Sequence, residues 1–338
     1  MDYSKLHSTA EALHAHHAVD PTPHERALHL VHIVNPVDAP EGSALARAQT
    51  ATFESMRRAA AYSSLHDKDT HVSIVAAPMP EDTDAVPADF IRLPDLTDVS
   101  GAQGSFNVER RLPLLREIIT RGADYARSSD RAADTFIVFT NTDIGLLPHF
   151  YTYAAWLIRH GHDTAIINRR GVVDSYQVPA DMPAMLSDFG YIHPGLDCFI
   201  FDAAMADSFA DFNSIIGMGF VMRPLLFNLM AFAEKPVILT DAHATFHLGF
   251  DEDWRDSRYD DYERHNRDAC IRTIEELCQR GADVEDRLKR FVVATGEDWW
   301  LPDGLLGTRR EPKKPPSRVR RLRRRIARRL IRLLEAAA

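Results

Sequence analysis

TFIVFTNTDIGLLPHFY, residues 135–151, is the stretch on which the fold turns. Phe136-Ile-Val-Phe139 is apolar at every position, the pattern of a strand buried on both faces rather than one that alternates. Immediately beyond it the chain places Asn141, Thr142 and then a carboxylate, Asp143. Asn and Asp gather at strand ends because their side chains bond nearby backbone, so a plain turn is one reading. The other is that a buried strand aims Asp143 at a ligand, through a metal ion.

Working outward, strands and helices alternate. LHLVHIVNPV (28–37) is strand-like and stops at Asn35-Pro36, because proline cannot donate to a ladder. SALARAQTATFESMRRAAAY (43–62) has Leu45, Ala48, Phe53, Met56 and Ala60 at helical spacing behind a capping Ser43. HVSIVAAPMPED (71–82) is a second strand running into a Pro-rich loop, and DFIRLPDL (89–96) holds a short third. The loop SGAQGSFN (100–107) precedes a helix expected from Glu109 to about Tyr125. After the opening strand come a helix over 149–161, stopped by Gly161, and a strand over 164–172. This order predicts an α/β protein with a mainly parallel central sheet and helices on both faces. Such sheets bind ligands outside the carboxyl ends of their strands. Asn35, Asp82 and Asp143 all follow apolar strand runs.

Composition narrows the class. The chain has 338 residues, 45% hydrophobic and 26% charged, as in ordinary soluble globular proteins. Its longest apolar runs are too short to cross a bilayer, and MDYSKLHSTAEALHAHH at the start is no signal sequence, so a cytoplasmic protein is expected. His7, His14, His16 and His17 read as the solvated face of a short polar helix. Three cysteines, Cys198, Cys270 and Cys278, with no CxxC pair argue against a disulfide framework and a structural zinc site.

The charge is unevenly spread. Lys313 to Arg332 holds eleven Lys and Arg and no acid, leaving a body of about −19. Beyond Pro315-Pro316 and Ser317, residues Val319, Leu322, Ile326, Leu330 and Leu333 fall three or four apart with arginines on the other face. That is a basic amphipathic helix. It suits an anionic membrane surface or the acidic body itself, and no nucleic-acid partner is expected.

Familiar phosphate motifs are missing: there is no GxxxxGK[ST] and no GxGxxG after the first strand, and Gly217-Met-Gly219 lacks the third glycine. Without a glycine cradle, a diphosphate can still be neutralised by a divalent cation. Mg²⁺ and Mn²⁺ take oxygen ligands and keep bonds to substrate phosphate, so one or two side chains suffice. Asp143 fits as metal ligand with Asn141 beside it. PVILTDAHATFHLGFDEDW (236–254) adds Asp241, His243, His247, Asp251 and Asp253 just past a strand. TFHLG reads as extended, which separates the two histidines and selects one, His247.

FTNTDIGL (139–146) resembles the NTDI/NSDI variant of the DxD motif in nucleotide-sugar-dependent glycosyltransferases of the GT-A fold, a Rossmann-related architecture. The resemblance covers roughly residues 28–254. It implies that Asp143 and His247 hold Mn²⁺ or Mg²⁺ against the diphosphate of a UDP- or GDP-sugar. Asn141 stands where the first acid would be, leaving it a contact to the ribose or to the metal's surroundings. Asn35, Pro36 and Asp82 would face the base, and Asn107 and Arg111 the base or phosphates. It also implies a nucleotide-binding half over 26–172 and an acceptor half over 173–255, between an N-terminal segment (1–25), a helical extension (256–310) and the tail (311–338). An inverting reaction would need a carboxylate base, for which Asp197 and Asp251 are the candidates; a retaining one would not. The acceptor hydroxyl would belong to a glycan or lipid-linked molecule, with the tail reaching the inner face of a membrane. A nucleotidyltransferase and a non-catalytic scaffold on the same sheet are the rival readings.

Overall fold

The computed structural model describes residues 23–129, 134–249 and 256–307. Its strands are β1 (Leu28–Val34), β2 (Thr70–Ala76), β3 (Ile91–Arg92), β4 (Asp134–Thr140), β5 (Ile144–Leu146), β6 (Thr164–Val172), β7 (Tyr191–Asp202), β8 (Pro236–Leu239) and β9 (Thr245–Leu248). The helices are α1 (Ala44–His66), α2 (Leu115–Ser128), α3 (Phe150–Arg159), α4 (Met182–Ser187), α5 (Arg223–Phe232), α6 (Asp260–Gln279) and α7 (Ala282–Thr295). One sheet runs in the order β3-β2-β1-β4-β7-β6-β9-β5, with β8 also paired to β6. Five of its eight strand pairings are parallel; β7 and β5 run against their neighbours. The sheet is therefore mainly parallel, as its strand–helix alternation predicts.

Helices cover both faces. Phe53 and Met56 of α1 and Phe150, Tyr151 and Ala154 of α3 pack with Leu30, Phe136 and Val138. On the other side Leu115 and Ile118 of α2, Leu225 and Leu229 of α5 and Cys270, Ile274 and Leu277 of α6 pack with Val31, Ile33, Ile137 and Phe139. The extension expected over 256–310 thus shares its core with the sheet, and Cys278 lies at that core's margin. Helix α2 comes very close to β1, for a Cβ on Gly122 would sit 1.8 Å from Cδ1 of Ile33.

Local chemistry sets the boundaries. Ser43 caps α1 by accepting from the Ala46 amide. Helix α2 begins at Leu115, not Glu109: Pro113 disfavours helical backbone at Leu112, and Pro113 and Leu114 bridge to Val99 and Ile215 instead. Likewise β2 ends at Ala76, and the segment Pro80–Ala85 forms a 3-10 turn. Two histidines of β1 are fully buried. His32 bonds the Tyr151 hydroxyl at 2.7 Å and Thr140 Oγ1 at 2.9 Å. Burial pushes its pKa down to about 3, so it stays neutral and locks the end of β4.

The N-terminal polar helix, the basic tail and Asp251 fall outside the described residues. No helix among the described residues is long and apolar enough to cross a membrane.

Candidate active site

Asp143 lies where the sheet curls. The chain leaves β4 at Thr140 and re-enters the sheet at Ile144, four places away in strand order. Four strand spacings in a flat sheet are about 19 Å, whereas four Cα steps reach at most about 15 Å. The sheet must bend back on itself, and Asn141-Thr142-Asp143 spans the bend. The Asn141 carbonyl accepts from the Ile144 amide at 3.1 Å, closing a tight turn.

The next pairing sets the partner. Ile144 is in register with His247 of β9, and His247 Nε2 stands 3.2 Å from Asp143 Oδ2. His247 Nδ1 donates to the Gly249 carbonyl at 3.0 Å. A neutral imidazole has one N–H, so with Nδ1 donating, Nε2 turns its lone pair toward the carboxylate. Two acceptors that close need a proton or a cation between them. Without a metal a proton serves. Burial pulls the imidazole down, but its hydrogen bond to Asp143 and that carboxylate's charge outweigh burial and Arg169, raising it above 6.5. Burial pushes the Asp143 carboxyl up, but the His247 bond and charge, with Arg169, hold it below its ordinary range. Asp143 Oδ1 is buried with no hydrogen-bond partner. An orphaned carboxylate oxygen beside an oriented imidazole fits a divalent cation. Among the described residues no third His, Cys, Asp or Glu joins them, so phosphate and water oxygens would complete the shell.

A bulge places the next two groups. Ile167 and Asn168 of β6 face Cys198 and Leu196 of β7, leaving Asp197 as the extra residue. Arg169 Nη1 lies 3.5 Å from Asp197 Oδ2, with both side chains largely buried (16% and 13% exposed). On its other side Arg169 Nη2 lies 3.4 Å from His193 Nε2. Since the Gly195 amide donates to His193 Nδ1, a neutral His193 keeps its proton on Nε2. The Arg169–His193 contact then joins two donors, an arrangement that favours an anion.

Four of the remaining sequence candidates form a second group. Asn35 donates to the Ala77 carbonyl at 2.8 Å, clipping the ends of β1 and β2, and Pro36 is buried beside it. Asp82 accepts from the Asp38 amide at 2.7 Å and is pushed up chiefly by burial, with that bond opposing. Arg111 joins this group through Glu81. Asn107 does not: its amide donates to Asp261 of α6, and its side chain is exposed. His243 also parts from Asp143 and packs its ring 4.9 Å from Phe189. Gln49, not singled out from sequence, couples the two groups. It exchanges two 2.9 Å hydrogen bonds with the Val37 backbone and accepts from Thr142 Oγ1 at 2.7 Å.

The curled, mainly parallel sheet between helices on both faces is consistent with a GT-A-like, Rossmann-related fold. No protein-family model and no curated protein matches the chain. Among solved structures it is similar to S. aureus TarS with UDP-GlcNAc, at 11% identity over 79% of this chain and 81% of that one, TM-score 0.39. It is similar to a structure from Desulfovibrio desulfuricans described as a nucleotide-diphospho-sugar transferase, at 12% identity over 81% and 98%, TM-score 0.37. It is also similar to the 4-diphosphocytidyl-2C-methyl-D-erythritol synthase of Anaerococcus prevotii, at 9% identity over 71% and 95%, TM-score 0.32.

Proposed function

We propose that the protein is a metal-dependent glycosyltransferase that moves a sugar from a UDP- or GDP-sugar to an acceptor hydroxyl. The observation that carries this is the Asp143–His247 pair, with one carboxylate oxygen orphaned and the imidazole turned by Gly249. These two residues would hold Mn²⁺ or Mg²⁺, which when bound supplies positive charge to the leaving diphosphate. Arg169 adds a fixed, largely buried cation on the same side. Asn35 and Asp82, beyond the ends of β1 and β2, and Arg111, which joins them through Glu81, form the nucleoside side, and Gln49 links the Val37 backbone to Thr142 of the Asn141–Asp143 turn. Asn141 sits in that turn as a hydrogen-bonding neighbour. Asp197 is the described candidate for a base that takes the acceptor's proton; its contact with Arg169 sets its orientation.

The basic tail, on this reading, brings the enzyme to an anionic membrane carrying a glycan or lipid-linked acceptor. The deciding experiment is calorimetric titration of UDP and GDP with and without Mn²⁺. Binding that needs the metal and disappears in Asp143→Ala supports the proposal; binding of no nucleotide defeats it.

A further inference from the structure

Gln49 lies in the second turn of α1 and is 8% exposed. A buried amide costs stability unless its donor and acceptor are both answered. Here both are, by two separate parts of the chain. Nε2 donates to the Val37 carbonyl and Oε1 accepts from the Val37 amide, each at 2.9 Å. Val37 is thus held as a neighbouring strand would hold it, although β1 has already ended at Val34. The second lone pair of Oε1 accepts from Thr142 Oγ1 at 2.7 Å. Turning the amide would break all three bonds.

The two anchor points adjoin different parts of the candidate site. Val37 stands between Pro36 and Asp38, and the Asp38 amide donates to Asp82 at 2.7 Å. Thr142 stands between Asn141 and Asp143, in the turn that presents the carboxylate to His247. Farther along α1, Ser55 accepts from the Leu146 amide at 2.9 Å, so the same helix also holds β5. Ordering the loop at Val37 therefore orders Gln49, Thr142 and the turn in succession. Freedom lost at one end need not be lost again when a ligand binds at the other, which makes the two bindings cooperative.

We infer that Gln49 is a positioning residue that couples nucleoside binding to metal binding. A nucleoside seated beside residues 36–38 tightens the metal at Asp143, and the metal tightens the nucleoside by the same factor. The inference rests on the proposed nucleotide-sugar reading, which places the nucleoside beside Asn35 and Asp82. It adds a link between base and cation that runs through protein and not through the diphosphate.

Calorimetric titration of Mn²⁺ into the full chain, with and without saturating uridine or guanosine, tests it. A nucleoside has no phosphate to touch the metal, so any change in Mn²⁺ affinity passes through the protein. One of the two nucleosides should tighten Mn²⁺ about fivefold in wild type, the worth of one neutral hydrogen bond. Thr142→Val keeps the branched shape but loses the hydroxyl, so its factor should fall to one, while Thr142→Ser retains it. Gln49→Met should also abolish the factor, and melting of each variant reports its fold. A merely structural role would weaken Mn²⁺ equally with and without nucleoside in Thr142→Val, leaving the factor in place. That result, or no effect of either nucleoside on wild type, overturns the inference. If wild type still binds UDP or GDP only with Mn²⁺, the coupling alone has failed; if it binds no nucleotide, the transferase reading fails with it.

Discussion

Between Asp143 Oδ2 and His247 Nε2 only one cation can be held, a proton or a metal ion. Metal binding must therefore release the His247 proton where that proton is present. His247 is raised when folded, so its contribution to metal-free stability is full below 6.5 and lost as pH rises through the higher folded value. Asp143 is depressed, so its contribution is present above 3.8 and lost as pH falls through the lower folded value. Two results follow. In chelator, the melting advantage of wild type over His247→Gln should be greatest between these two ordinary values and shrink above neutrality. Apparent Mn²⁺ affinity should rise with pH by up to about tenfold per unit until His247 is deprotonated; a flat profile would remove the proton from the pair. Gly249 holds the imidazole's other nitrogen and has φ of +88°. Gly249→Ala should cost about 1–2 kcal/mol and weaken Mn²⁺ binding. Gly296→Ala, also at positive φ (+63°) but at the C-terminal cap of α7, should lose stability alone. Asp143 and His247 are legible in the sequence because each directly bounds or interrupts an apolar run. Arg169 is not: TAIINRRGV reads as a strand, and only the bulge opposite it shows that its charge points at Asp197.

Strand β5 is three residues long, yet it fixes the site, because its register with β9 brings His247 to Asp143. Gly145 is paired with Phe246, and a Cβ there would fall 2.2 Å from Cζ of the ring. Gly145→Ala should force that ring aside at about 1–3 kcal/mol and weaken Mn²⁺ binding together with stability; loss of stability with unchanged Mn²⁺ affinity would show that β5 is not the positioning element. Most strands and helices can be read from periodicity, including β6 to the residue. The start of α2 cannot, because Pro113 and the bridges to Val99 and Ile215 outweigh a helical pattern that is already present at Glu109. The bulges in β7 are equally hidden, for no local pattern announces that residues 193–195 are an excursion within one twelve-residue strand.

Across the whole molecule, the curl of the sheet is the feature that no local pattern announces. It follows from chain reach: three residues must join strands that are four places apart. The α/β class is legible from alternation alone, whereas the convergence of β4, β6, β7 and β9 on one site depends on that closure. Charge operates at the same scale. An acidic body carrying a basic segment from Lys313 should change its partners when the segment is removed. Deleting 313–338 should abolish sedimentation with phosphatidylglycerol vesicles at low salt and leave Mn²⁺-dependent nucleotide binding in place; unchanged sedimentation would contradict a membrane role for the tail.

The most direct measurement is the affinity of UDP and GDP for wild type and Asp143→Ala, each with Mn²⁺ and with chelator. Tight binding by wild type in Mn²⁺ alone, lost in the variant, is the predicted result. Nucleotide binding that is indifferent to the metal and to Asp143, or no binding at all, would contradict a cation-bridged diphosphate at this site.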